Sequence, residues 1–478
     1  MKVDQEDIDI LYEEQEANET FRDHLATVDD KGKRIWLYPK KPSGRYFNRR
    51  AMVSFLLLAF LITGPFIRIG GEPMLLFNVF DRRFVILGQV FWPQDFFLFA
   101  IGFITILVFI ILFTVVYGRV FCGWICPQTI FMEFVFRRIE YAIEGDYTAQ
   151  RKLDKEPWHT GKVMKKTAKH LLFIAVSAVI MHTFMAYLIG TEQTWEIISN
   201  SPAANPGGFI AMVVLTAMFY GVFSKMREQV CTTICPYGRL QGVLLDKNSM
   251  VVAYDYKRGE ERGKLRKNQD REAIGLGDCI DCKQCVFVCP TGIDIRNGTQ
   301  MECVNCTACT DACDSIMDKV GKPRGLVRYA TENGISEEKP FKFTKRMLAY
   351  SIVLALLVLF SGSQLLMRAD VETTIMRTPG VLYQKRDDGM ISNLYNLKVI
   401  NKTSDRMNIR LAPVNDQLQL EVIGGALEIA PNGTLSSSFF LIADPENLTE
   451  ISSTFKIEIY SGDEKIETVK TRFLGPAN

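Results

Sequence analysis

Histidine is scarce in this chain, with four copies in 478 residues, and net charge is almost absent at +2. The first shortage leaves little for haem. A two-histidine site needs a second imidazole near the membrane, and the candidate partner for His182 is His170, about three turns away on the same helix. No haem is expected. The balanced charge argues against a dedicated nucleic-acid binder. Cysteine is missing outside four short motifs, so none of the twelve is left over for a disulfide framework. Residues 1–30 are strongly acidic and nearly free of aromatics. They cannot bury enough apolar surface to offset ordering entropy, and are expected to stay mobile without an assigned role.

What the chain does have is long apolar runs. Five of them, residues 51–67, 96–117, 170–189, 207–224 and 347–366, hold few or no charges and are each long enough to cross roughly 30 Å of hydrocarbon. The first lies too far from Met1 for the core of a cleaved signal peptide and is expected to remain as an anchor. Buried helices of a large soluble enzyme are the alternative, but basic flanks beside such runs speak for a polytopic membrane protein.

Orientation follows from those flanks. Arg45, Arg49 and Arg50 precede the first run, and Lys162, Lys165, Lys166 and Lys169 precede the third. Lys225 and Arg227 follow the fourth, and Lys342, Lys345 and Arg346 precede the fifth. The positive-inside rule puts 1–50, 118–169 and 225–346 in the cytoplasm and everything after the fifth span outside. Residues 191–206 contain no Lys or Arg, as the outer face requires, whereas Arg82 and Arg83 in the first outer loop run against the pattern. Trp92 and Trp124 read as interfacial belt residues. Residues 257–271 read as a charged, solvated linker.

After residue 366 the pattern changes to period-two alternation, as in Phe455, Ile457 and Ile459 against Lys456 and Glu458. Similar stretches at 395–399, 407–411, 418–422, 435–441 and 469–473 are separated by turn residues such as Gly424-Gly425 and Pro431-Asn432-Gly433. They predict a β-sandwich of about 110 residues, large enough to fold by itself.

The cysteines carry the chemistry. Eight form a paired array, Cys279-x-x-Cys282-x-x-Cys285-x-x-x-Cys289-Pro290 and Cys303-x-x-Cys306-x-x-Cys309-x-x-x-Cys313. Three closely spaced thiolates wrap one [4Fe–4S] cube and the fourth reaches across to its neighbour. The predicted ligand sets are Cys279, Cys282, Cys285 and Cys313 for one cluster, and Cys303, Cys306, Cys309 and Cys289 for the other. A zinc ribbon would need four ligands per ion with a longer loop between pairs. Clusters of this class move one electron at a time, so the block reads as a relay, with substrate chemistry placed elsewhere.

The remaining four cysteines are the candidates for that place. Cys122-x-x-x-Cys126-Pro127 and Cys231-x-x-x-Cys235-Pro236 follow the second and fourth spans and suggest two related helical hairpins. Residues four apart share a helix face, so each pair can aim two sulfurs at one point. The proline should kink or restart the helix. Soft thiolates select copper(I), zinc or iron. If both pairs meet, four sulfurs surround one site; if not, each could hold copper(I) linearly or cycle as a dithiol. Buried packing as small hydrophobes is the plain alternative. His182, inside the third span, is a quinone-contact candidate, with a hydrogen bond to a neighbouring helix the more ordinary role.

In sum the chain reads as a mixed fold. It comprises a cytoplasmic segment (1–50), a four-helix transmembrane domain with both Cys-x-x-x-Cys-Pro motifs (51–255), and an inserted two-cluster bacterial ferredoxin-like domain (256–340). A fifth transmembrane helix (341–368) and an outer β-sandwich (369–478) complete it.

From residue 34 to the C-terminus the chain resembles the CcoG family, also called FixG or RdxA, of Gram-negative bacteria. The resemblance rests on Tyr117-Gly118-Arg119-Val120-Phe121-Cys122-Gly123-Trp124-Ile125-Cys126-Pro127, on Cys231-Thr232-Thr233-Ile234-Cys235-Pro236-Tyr237-Gly238-Arg239, on both ferredoxin motifs and on Asn393-Leu394-Tyr395-Asn396-Leu397. It departs from two-cluster ferredoxins at Asp314, which stands where a second proline would follow the last cysteine. Membership implies an inner-membrane protein with a periplasmic immunoglobulin-like domain. It also implies reduction of copper(II) to copper(I) in the cytoplasm for maturation of cbb3-type cytochrome c oxidase, with copper at Cys122, Cys126, Cys231 and Cys235. The implied partners are a copper-exporting ATPase and oxidase subunits, with an unspecified electron donor. Two other functions fit the same parts: a quinol dehydrogenase feeding a partner reductase, and a non-catalytic copper-binding assembly factor.

Overall fold

The computed structural model describes residues 27–476 except 30, 32, 92–95, 267–270, 272, 339–343, 368–370, 381, 404, 416, 449 and 450. The acidic N-terminal segment, Trp92 and part of the charged linker therefore lie outside the described residues. The chain divides into two compact units, one of residues 1–63, 101–186 and 191–359, the other of 64–100, 187–190 and 360–478.

Five helices are long and apolar enough to cross a membrane, at Arg45–Phe66, Phe97–Tyr117, Thr160–Ile189, Pro206–Met226 and Met347–Leu365. The fifth has none of its most apolar stretch buried inside the protein, which is tolerable only where hydrocarbon is the solvent. The third begins ten residues before its apolar run, because Lys162, Lys166 and Lys169 find partners along its first turns. Lys162 donates to the carbonyls of Asp154 and Glu156 at 3.0 and 2.6 Å. Lys166 pairs with Glu144 and Asp154 at 2.9 and 2.6 Å, and Lys169 with Glu144 at 2.9 Å.

In the second unit two antiparallel sheets face each other. One orders Leu418–Ile423, Thr434–Ala443, Ile391–Asn401 and Val371–Arg377; the other orders Leu427–Ile429, Met407–Pro413, Ser452–Ser461 and Glu464–Leu474. Alternating side chains fill the space between: Tyr395, Leu397, Val399, Phe439, Leu441, Ile457, Ile459 and Phe473 are all buried. The Asn-Leu-Tyr-Asn-Leu stretch fastens one sheet to the other. Asn393 donates to the carbonyl of Leu474 at 2.7 Å and Tyr395 to that of Arg472 at 2.8 Å.

The same unit contains a small sheet that the sequence reading lacks, Leu75–Asn78, Arg83–Ile86 and Gln89–Phe91, closed over Leu76, Val85 and Val90. Arg83 is paired with Glu72 at 2.5 Å, and the Glu72 carboxylate also accepts from Asn432 at 3.2 Å.

Candidate iron–sulfur and thiol site

In the first unit the Cys-rich block is built as two copies of one loop. The residues on either side of each middle cysteine are left-handed: Asp281 (φ 52°) and Lys283 (φ 53°) about Cys282, Asn305 (φ 54°) and Thr307 (φ 60°) about Cys306. Such backbone costs about 1–3 kcal/mol per residue and persists where surroundings impose it. Alternation of this kind turns successive N–H groups inward into an anion-binding concavity. Each loop then runs into a helix, Gln284–Phe287 and Ala308–Val320.

Around the second loop is a pocket whose walls include Cys289, Cys303, Cys306 and Cys309, together with Cys285. The structure thus brings the four expected ligands of one cluster to a single cavity, with Cys289 arriving from the other motif. Cys279, Cys282, Cys285 and Cys313 form the second group: the charge of Cys313 acts on Cys285, and those of Cys279 and Cys282 act on Cys313. Burial pushes the Cys303 and Cys313 thiols up to about 12 and that of Cys306 up to about 11. A bare thiolate there is costly, and a cationic iron core offsets the cost. Asn305 is 2% exposed, and its Nδ2 has no acceptor among the described residues. Cluster sulfur is an acceptor without a donor. Both observations fit an iron–sulfur cube, which when bound supplies one-electron transfer. Among the described residues no three His, Cys, Asp or Glu side chains converge at single-ion spacing. A cube separates its ligands over four irons and needs a wider cage.

The two Cys-x-x-x-Cys-Pro motifs end in matching breaks, and here the structure corrects the expectation of two cysteines on one helix face. Cys122 sits in a short helix, Val120–Trp124, while Cys126 (φ −57°, ψ 124°) has left the helix and precedes a new one, Pro127–Ile130. Cys231 sits in a π-helical turn, Val230–Ile234, and Cys235 (φ −68°, ψ 113°) precedes Pro236–Leu244. Proline forces its predecessor toward extended backbone, so the break falls on the cysteine. The four thiols are neighbours, since the charges of Cys122, Cys126 and Cys235 all act on Cys231, but among the described residues they do not converge at single-ion spacing. Burial pushes Cys122 up to about 11 and Cys231 up to about 12. Cys122 donates to Gln241 at 3.4 Å. Gln241 is fully buried and its Nε2 has no acceptor.

Cys122 also packs against the wall of this pocket, in one apolar cluster with Val288, Val304, Cys306, Ala308 and Cys309. A dock of polar contacts fixes this junction. Trp124 donates to the Tyr329 hydroxyl at 3.0 Å, and Tyr329 donates to the carbonyl of Asn305 at 3.1 Å. Trp124 therefore faces the ferredoxin block and not a lipid interface. Gly123 is where the backbones come closest, since a Cβ there would lie 2.6 Å from the Val304 oxygen.

Sequence reasoning missed the charged frame of this site. Glu133, Arg137, Glu140 and Glu144 recur at helical spacing on one face. Arg137, 2% exposed, pairs with Glu133 and donates to the carbonyl of Pro290 at 3.1 Å. Glu228, 1% exposed, joins Arg34 at 2.7 Å and Arg137 at 3.5 Å. Arg34 and Arg227 lie 4.5 Å from the Trp36 ring centroid. The strap that carries Trp36 continues over the ferredoxin block, where Lys40 reaches Phe287 and Gln284 at 2.7 Å each. The repeat of acidic and basic residues inside Phe131–Ile143 was the available signal. His170 pairs with Tyr220 at 2.9 Å, whereas His182, among the described residues, makes no hydrogen bond to a neighbouring helix.

Comparison with known proteins agrees with this arrangement. Residues 226–332 match a family model described as a 4Fe-4S dicluster domain, and residues 362–476 match that of the IG-like fold at the C-terminus of FixG. Residues 99–144, with the first Cys-x-x-x-Cys-Pro motif, match a 4Fe-4S binding domain. The nitrogen fixation protein FixG of Rhizobium meliloti is 33% identical over 417 residues, 79% of either chain. Protein RdxA of Cereibacter sphaeroides is 34% identical over 390 residues, 79% of this chain and 81% of its own. A crystal structure of a FixG-related protein from Vibrio parahaemolyticus covers 22% of this chain and 97% of its own, at 24% identity and a TM-score of 0.20.

Proposed function

Because the chain belongs to the FixG/RdxA family of multi-pass membrane iron–sulfur proteins, we propose that it reduces copper(II) to copper(I) for maturation of a cbb3-type oxidase. The carrying observation is the contact of Cys122 with the apolar cluster around Cys306 and Cys309. Electron tunnelling falls steeply with distance, and this contact supports direct transfer from the cluster to a copper ion held at Cys122. Copper(II) takes one electron, the quantum such clusters deliver, and thiols of Cys122, Cys126, Cys231 and Cys235 suit the soft copper(I) product. Cys279, Cys282, Cys285 and Cys313 hold one cluster; Cys289, Cys303, Cys306 and Cys309 hold the other.

The clusters and thiols face the cytoplasm and the sandwich faces the periplasm of an inner membrane. Basic flanks beside the spans support this orientation, as does the gathering of residues 64–100 and 360–478 into one unit. Copper(I) then passes to a copper-exporting ATPase and on to oxidase subunits.

The test is anaerobic copper(II) reduction by dithionite-reduced protein, read with a copper(I)-specific chelator. A Cys231→Ser/Cys235→Ser variant with intact clusters should lose most of the rate, and unchanged turnover would remove these thiols from the reaction. A second reading, quinol oxidation, draws support from His182, which stands in the third span and, among the described residues, has no hydrogen-bond partner. Cluster reduction by quinol with no requirement for copper would favour it.

A further inference from the structure

The two cages differ in the charge built around them. The cage of Cys289, Cys303, Cys306 and Cys309 is ringed by buried arginines that come from the membrane helices and their ends. Arg50, 1% exposed, donates Nε to the carbonyl of Gly123 at 2.9 Å and lies 5.2 Å from the Phe134 ring centroid. Arg119, 4% exposed, donates to the carbonyls of Met301 and Gly238, the latter at 2.7 Å, with that of Cys303 at 3.5 Å. Among the described residues neither makes an ion pair. Nη2 of Arg50 and Nε of Arg119 are buried with no acceptor. Their contacts reach the cage: Arg119 lies against the Cys303 backbone, and Arg50 holds Gly123, which packs on the backbone of Val304 and Asn305. Carboxylates also face this side. Glu133 is taken by Arg137, and the half-buried Glu302 lies within the field of Arg119.

The cage of Cys279, Cys282, Cys285 and Cys313 is acidic. Asp278, Asp281 and Asp314 each adjoin one of its cysteines, and Asp294 joins Asp281 on Arg296. Most cations present there are committed to them: Arg258 and Lys322 to Asp278 at 2.6 and 3.1 Å, Arg296 to Asp281 and Asp294 at 2.5 and 2.6 Å. Arg271, 7% exposed, is the exception, donating to the Cys279 carbonyl at 2.9 Å, one such arginine against two at the other cage.

A cube with four thiolate ligands carries net negative charge that grows by one on reduction. Unpaired buried cations therefore favour the reduced form, and neighbouring carboxylates oppose it. We propose that Arg50 and Arg119 are positioning residues that hold the Cys289/Cys303/Cys306/Cys309 cluster at the higher potential. That makes it the exit toward Cys122, with the Cys279/Cys282/Cys285/Cys313 cluster the entry. One electron from an external one-electron donor, dithionite in the assay, enters at the acidic cage, moves to the arginine-ringed cage and reduces one copper(II) to copper(I). No proton or bond is exchanged. The order rests on the ligand sets and acceptor site proposed above.

An anaerobic redox titration of the full-length protein, followed by electron paramagnetic resonance in the absence of copper, tests it. Two separable midpoints are expected. Cys306→Ser should shift the higher and Cys282→Ser the lower; the reverse assignment overturns the proposal. In iron-replete Arg50→Gln and Arg119→Gln the higher midpoint should fall while the lower stays, and Arg50→Lys and Arg119→Lys should restore most of the difference. An unmoved higher midpoint, or lysine variants that behave like glutamine, would overturn it. Should the glutamine variants lose iron, the serine pair still decides the order and the lysine variants still report on charge. Potentials are read without copper, so this proposal and the copper reading fail independently.

Discussion

Gly123 stands where the first thiol hairpin meets the ferredoxin block, and replacing it with alanine is a clean way to part the two. The added methyl would lie 2.6 Å from the Val304 oxygen, 2.8 Å from the Asn305 oxygen and 2.9 Å from the Asn305 carbonyl carbon. All three are backbone atoms and cannot rotate aside, so relief requires the chains to separate by nearly an ångström. Overpacking of this kind costs about 1–3 kcal/mol. Separation also strains the 2.9 Å bond from Arg50 to the Gly123 carbonyl, of a charged type contributing about 1.5–3 kcal/mol. With the hydrogen bond strained and not fully lost, a loss of about 2–3 kcal/mol lowers the docked-to-undocked ratio roughly thirty- to 150-fold. We expect faster amide hydrogen exchange across residues 303–309 and a slower single-turnover oxidation of reduced clusters by copper(II), with iron content unchanged. Gly102→Ala, whose methyl meets nothing within 4 Å, is the control and should match the wild type. Iron-replete Gly123→Ala with wild-type exchange and rate would refute the reasoning.

Three further outcomes follow from the same contacts. Glu228→Gln removes the one buried carboxylate shared by Arg34 and Arg137. It should cost near the low end of about 3–5 kcal/mol, seen as a lower unfolding midpoint in detergent; an unchanged midpoint would mean the charge is dispensable. At Thr307, left-handed and 1% exposed, glycine relieves about 1–2 kcal/mol of strain and should retain iron. Valine keeps the strain and loses the hydroxyl bond to the Cys306 carbonyl at 2.6 Å, so it should shed iron first on chelator challenge. At Asp154, burial raises the carboxyl, but the hydrogen bonds of Lys166 and Tyr38 outweigh it and hold it below the usual range. A depressed carboxylate contributes stability that is complete above its ordinary value of about 3.9 and is lost as pH falls through the folded value. The strap at residues 34–41 should therefore resist proteolysis at pH 5 and yield to pepsin below about 3.9. Asp154→Asn should loosen it modestly at neutral pH, and equal cleavage of both proteins at every pH would contradict this.

What the sequence made legible and what it concealed divide along a physical line. Features with a local period were readable: five apolar runs emerged as five helices, and strands expected at 395–399, 407–411, 418–422, 435–441 and 469–473 lie within longer strands of the sandwich. Cysteine spacing was readable too, because wrapping a cube is a local constraint on a loop. Contacts between distant segments were not. The carboxylate of Asp311 accepts from the backbone N–H groups of Tyr46 and Phe47 at 3.1 and 2.7 Å, and so caps the first membrane helix from more than two hundred residues away. Nothing near Gly44 announces that partner. The small outer sheet at 75–91 was hidden because its strands are three or four residues long, too short for alternation to register. The charged frame around Arg137 was hidden differently, since its residues alternate in sign within an apolar stretch and read singly as flanks. The concealed parts are those that join the ferredoxin block to the membrane helices. The motifs identify the carriers of the electron, while the long-range contacts fix which carrier touches which. The proposed electron order therefore depends on Arg50, Arg119, Gly123 and Asp311 more than on the twelve cysteines. Asp311→Ala tests this directly: it should free the start of the first span, move Arg50 away from the Gly123 carbonyl and narrow the gap between the two cluster midpoints. A gap that stays at its wild-type width would show that the motifs alone set the order.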